Sequence, residues 1–116
     1  MTLQEAMVLI HNGEYERAIH SLESEASDET KAPFERAEYC EWVAECYTRL
    51  DDRRTGGDWY LEGIKRILSQ EVEQKTKAQQ AMRLCDKALE CYKLDGDPAD
   101  VLMTARVKQY LIGLMK

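Results

Sequence analysis

The chain has little of what interrupts or staples structure: two prolines, six glycines, one phenylalanine and two histidines in 116 residues. With no biased tract, 44% apolar and 33% charged residues, it has the composition of one folded domain rather than a disordered segment. A domain of this size buries roughly two thirds of its unfolded surface. No stretch approaches the roughly 20 consecutive apolar residues of a membrane span. The first ten residues carry one acid and no basic side chain, whereas a secretory leader opens on positive charge. A soluble cytoplasmic protein is therefore expected.

Patterns that carry chemistry are also missing. No Gly-rich phosphate loop or nucleophile elbow occurs, and Gly56-Gly57 alone is no such signal. His11 and His20 both lie in the first 20 residues, apart from the cysteines, and read as surface or helix-end side chains. Paired acids such as Glu14/Glu16 and Glu71/Glu73 are two apart and point to different sides of a helix. The sequence reads as non-enzymatic, with no cofactor and no metal. Cys40 and Cys46 are six apart, as are Cys85 and Cys91, which sets each pair about 120° apart around a helix. Neither pair can hold one metal or close a disulfide within its helix, and the zinc spacing of two to four residues is absent. Buried thiols in a reducing compartment are the reading, with a site joining the two pairs across stacked helices as the alternative.

What is present is a repeat. Cys40-Glu41-Trp42-Val43-Ala44-Glu45-Cys46-Tyr47 returns 45 residues later as Cys85-Asp86-Lys87-Ala88-Leu89-Glu90-Cys91-Tyr92, with four positions identical and Glu41/Asp86 an acid-for-acid swap. A recurrence at this period implies a helical array, because one unit cannot bury its apolar face alone. Charge is divided along the chain. Residues 1–52 hold 13 acids and four bases, residues 53–116 nine acids and 12 bases, within a net charge of −6. Such a division favours attraction between copies or a partner of opposite pattern. The acidic first half argues against nucleic acid, which needs many phosphate-neutralising bases.

Start and stop signals divide the chain into six helices. Thr2-Leu3-Gln4-Glu5 is a capping box that opens a helix over residues 3–11, ended by Asn12-Gly13. A second helix, 14–26, carries Tyr15, Ala18, Ile19 and Leu22 at helical spacing, and the short connection folds the two into an antiparallel hairpin. Thr30 is a candidate N-cap for a third helix that tolerates Pro33 in its first turn and reaches Leu50. Asp51 to Gly57 reads as the longest break and a mobile loop. Asp58 or Thr55 then caps a fourth helix to about Glu73, and Thr76-Lys77-Ala78-Gln79 opens a fifth, although Gln70 to Lys75 contains no breaker and the two are open to being one long helix. Asp95-Gly96-Asp97-Pro98 combines a stop with a start, and a sixth helix follows. The expectation is a single all-α domain of three hairpins, over about 2–27, 30–73 and 76–116.

Gly13-Glu14-Tyr15-Glu16-Arg17-Ala18-Ile19 resembles the turn and second-helix start of a tetratricopeptide repeat. In the same register Ala6 and Leu9 take the small and large places of the first helix, with Ala44 and Tyr47 in the second unit and Tyr92 in the third. The repeat of that family is 34 residues, whereas Leu9, Tyr47 and Tyr92 are 38 and then 45 apart, so the array is divergent. The resemblance implies hairpins stacked as a short right-handed array, with a concave groove for peptide ligands lined by the first helices. Relatives that clamp a ligand carboxylate use Lys and Asn in that groove; here the places hold acids, with Leu3 and Met7 in the first unit.

Glu41/Glu45 and Asp86/Glu90 each lie four apart on one helix face, where like charges cost a few tenths of a kcal/mol. Together with Glu38 they form a candidate acidic strip for a Lys/Arg-rich or amine-terminated segment of a partner protein. The expected function is thus an adaptor that binds a peptide in an acidic groove. The alternative is a self-associating bundle, a homodimer through the C-terminal hairpin, where Leu111, Ile112, Leu114 and Met115 place apolar residues at the end of the array.

Overall fold

Four of the six helices begin where a side chain or a proline disposes of a free backbone amide. The Thr2 hydroxyl accepts from the Glu5 amide at 3.2 Å, the Asp52 carboxylate from Thr55 at 3.3 Å and the Asp97 carboxylate from Ala99 at 2.9 Å. Pro33 and Pro98 occupy first turns, where the missing N–H costs nothing. Gly13 and Gly96 turn the chain out of helices at φ +79° and +90°, a conformation that side-chain-bearing residues avoid.

The computed structural model describes residues 2–116. It contains six helices: α1 (Leu3–His11), α2 (Tyr15–Ala26), α3 (Pro33–Arg49), α4 (Arg53–Leu68), α5 (Gln74–Asp95) and α6 (Pro98–Leu114). No strand occurs among the described residues. Each helix packs on its neighbours in sequence, most extensively α3 on α4 and α4 on α5, and least α1 on α2. The result is an all-α serial array measuring 41 × 34 × 19 Å.

Two buried clusters hold the array together, and α3 contributes to both. Its Tyr39, Val43 and Cys46 complete the cluster of Ala6, Ile10, Ala18, Ile19 and Leu22 from α1 and α2. Its Ala37 and Ala44 enter the cluster that α4, α5 and Leu111 of α6 build around Tyr60, Leu84 and Tyr92. Fully buried alanines at positions 6, 18, 44, 81 and 88 keep the helix axes close. Polar links tie α3 back to α2: Arg36 Nε donates to the Ala26 carbonyl at 3.0 Å, and the Tyr47 hydroxyl donates to Glu23 at 2.9 Å.

Several sequence expectations need correction. Residues 51–57 are not a mobile loop: Asp51 makes the turn at φ +63°, Asp52 is the N-cap, and α4 starts at Arg53 with Gly56 and Gly57 buried inside it. Thr30 does not cap α3, since its hydroxyl donates to Asp28 and the N-cap is Ala32. α4 ends at Leu68 rather than near Glu73, and α5 begins at Gln74, which leaves Thr76 inside the helix. The two are separate helices. Leu50, which the helical spacing places on the apolar side of the third helix with Val43 and Tyr47, is 40% exposed. Leu111 is buried and Ile112, Leu114 and Met115 are partly buried, so the apolar C-terminal residues largely turn inward; α6 instead exposes Leu102, Met103 and Tyr110.

Candidate functional site

On α3, residues 34, 38, 41, 45 and 48 follow a spacing of four and three, which places Phe34, Glu38, Glu41, Glu45 and Thr48 on one stripe. On α5 the same spacing selects Arg83, Lys87, Glu90 and Leu94. The two stripes face each other across α4. Arg83 and Lys87 both reach Glu41, with Arg83 Nη2 at 2.8 Å and Lys87 Nζ at 3.0 Å from its carboxylate oxygens. Between the stripes, Tyr60 of α4 donates its hydroxyl to Glu45 at 3.2 Å, and Lys87 Nζ stands 5.8 Å from the Tyr60 ring centroid. Thr48 Oγ1 lies 3.7 Å from Cys91 Sγ.

The five acids singled out by sequence fall into distinct settings. Glu41 is the centre of the cross-hairpin ion pairs and only 19% exposed at its side chain. Burial acts to raise its pKa, but hydrogen bonds and charge from Arg83 and Lys87 outweigh that and hold the carboxyl below its usual range. Glu45 pairs with Arg49 at 3.2 Å. Asp86 turns away from the strip and pairs with Lys108 of α6 at 2.9 Å. Glu38 and Glu90 are exposed and have no ion-pair partner among the described residues. The strip is thus a mixed-charge face with one free acid toward each end.

The Glu41 cluster also divides the face into two clefts. One, of about 410 Å³, is lined by Phe34, Ala37, Glu38, Glu41, Trp42, Ile67, Arg83 and Leu84. The other, of about 190 Å³, lies beyond Lys87 among Glu45, Tyr60, Glu90 and Leu94. The first combines a half-exposed phenyl ring, a partly buried indole and an unpaired carboxylate, which is the equipment for holding a cationic side chain with an apolar neighbour.

The chain matches no family model, no curated protein and no solved structure.

None of the four cysteines forms a disulfide. Cys85 Sγ contacts the Thr104 carbonyl at 3.7 Å, and all four are free and buried. Burial pushes the Cys40 and Cys46 thiols up to about 11. Among the described residues no group of three or more His, Cys, Asp or Glu is placed to hold a metal ion.

Sequence reasoning missed a third, larger cleft. It measures about 550 Å³ and runs along α6 between Leu68 and Leu102, Met103, Val107 and Tyr110. The signal lay in α6 itself, where apolar residues occur nearly all round the helix and leave no continuous polar side.

Proposed function

We propose that this chain is a non-enzymatic protein-interaction module of divergent tetratricopeptide-like organisation. The α3/α5 face receives a basic segment of a partner protein, with the Phe34–Arg83 cleft as its main pocket. The observation that carries the reading is Glu38, an unpaired carboxylate beside Phe34 and Trp42 in the larger cleft of that face. A Lys or Arg of the partner pairs with Glu38 while its stem, or an adjacent apolar residue, covers the two rings. Glu41 shapes the pocket rather than charging it, because Arg83 and Lys87 already balance it.

Trp42 lies in the cleft wall, so its fluorescence is a direct probe. In a Trp59→Phe background, a panel of peptides with one to three Lys or Arg residues is titrated and the Trp42 signal followed. Binding by basic but not acidic peptides, weakened at least tenfold by Glu38→Lys, is the expected result. A panel that leaves Trp42 unchanged, or binding indifferent to Glu38→Lys, removes the reading.

A further inference from the structure

The packing of this array follows a rule that α6 breaks. The second helix of each of the first two hairpins is covered by the first helix of the next: α2 by α3, and α4 by α5. Covered in this way, α2 and α4 expose no large apolar side chain. Among the described residues α6 packs chiefly on α5, and it exposes Leu102, Met103 and Tyr110 at 55%, 44% and 55% beside the apolar cleft. Arg106 sits in the middle of that surface with no ion-pair partner among the described residues.

At the other end, α1 packs chiefly on α2 among the described residues. Ala6 and Ala44 are both fully buried and 38 residues apart, which aligns α1 with α3. α3 buries Val43 and Cys46 in the cluster that α1 and α2 build. The positions 38 residues earlier are Glu5 and Val8, both exposed, Val8 by 59%. The two ends also differ in charge. Residues 2–26 hold five acids and one base, residues 74–116 eight bases and five acids.

We propose that copies of this chain associate head to tail, with α1 of one copy covering α6 of the next as α3 covers α2 within the chain. Val8 enters the apolar surface around Leu102 and Tyr110, Glu5 pairs with Arg106, and the opposite net charges of the two ends orient the encounter. The contact is heterologous: the two surfaces differ, so each copy keeps one free end and assembly continues with concentration. A symmetric α6-to-α6 pairing centred on this surface would bring two copies of Arg106 together.

Two blocked variants test this by sedimentation velocity. Leu102→Glu with Tyr110→Glu blocks α6, and Glu5→Lys with Val8→Lys blocks α1; all four side chains are at the surface, and circular dichroism checks that helicity is kept. The wild type is expected to grow in mass with concentration over the micromolar range, and less so in 0.5 M salt. Each variant alone stays at the 13.4 kDa monomer. Mixed in equal amounts, they form a dimer of about twice that mass, because one copy supplies an intact α1 and the other an intact α6. A wild type that remains monomeric throughout overturns the proposal. So does an α1 variant that still self-associates, which would place the contact in α6 alone, or a mixture that fails to dimerise.

Discussion

The ring of Tyr92 lies directly over the backbone of Gly57, so that a Cβ at Gly57 would fall 2.7 Å from two ring carbons. Tyr92 is fully buried and its hydroxyl donates to Asp58, which leaves the ring little room to retreat. The contact joins α4 to α5 and explains why a glycine stands inside α4 despite its poor helix propensity.

Gly57→Ala should therefore destabilise the fold. The helix gains about 1 kcal/mol in propensity, but overpacking against Tyr92 costs roughly 2–3 kcal/mol. A net loss of about 1–2 kcal/mol in a urea titration is expected. Gly113 in α6 is the control, since a Cβ there meets nothing within 4 Å. Gly113→Ala should leave stability unchanged or raise it by up to about 1 kcal/mol; equal losses in both variants would mean that the Tyr92 contact is not what decides.

These glycines show where sequence reasoning stops. Local signals placed well: the Thr2 cap, the Gly96 turn and the Asp97-Pro98 start are each settled within a few residues, and all are found where expected. Gly56-Gly57 also looks like a local signal for a loop, but its cause is tertiary, the close approach of Thr48 and Tyr92 from other helices. The same holds for the acidic strip. Spacing put Glu38, Glu41 and Glu45 on one side of α3, while their charge balance depends on which bases the facing helix presents, and Arg83 lies 42 residues from Glu41. The break at Ser69–Glu73 carries no Gly or Pro, so its position was not marked locally, and the Thr76 capping box put it a few residues late.

The Glu41 cluster gives stability a pH dependence with a definite sign. Its folded carboxyl titrates below the free value of 4.5, so its contribution is fully present above that pH and is lost as pH falls through the lower folded value. Arg83 is 59% exposed, which limits the effect to about 1 kcal/mol. Glu41→Gln should be less stable than wild type by about that amount at pH 7, with the gap narrowing as pH falls below 4.5 and the carboxyl takes up its proton. Paired denaturation curves at pH 7 and pH 3 check it; a gap that stays constant would assign the loss to packing alone.

The thiols should be inert while the chain is folded. Burial raises all four, Cys40 and Cys46 to about 11, so at pH 8 only about one molecule in a thousand carries either thiolate. A disulfide-exchange dye is expected to register well under ~0.2 thiol per chain within minutes in buffer, and all four in denaturant. Rapid labelling of Cys40 and Cys46 in buffer would instead indicate an opening of the α1–α3 cluster, and of Cys85 and Cys91 an opening of the cluster built by α4, α5 and α6.

The start of α4 offers the sharpest contrast between loop and helix. Asp52 accepts the Thr55 amide and its own carbonyl accepts the Gly56 amide at 3.0 Å, so the first turn is closed by one residue acting twice. In a helix the amides of Gly56 and Gly57 are hydrogen-bonded and buried, whereas in a mobile loop they would exchange with solvent freely. Hydrogen exchange should accordingly show protection at residues 56 and 57 close to that of the α4 interior. Asp52→Ala removes the side-chain half of the cap and should cost about 1 kcal/mol, with protection lost first at residues 55–57. Fast exchange at Gly57 in the wild type would restore the loop and, with it, undo the packing of Tyr92 against the helix.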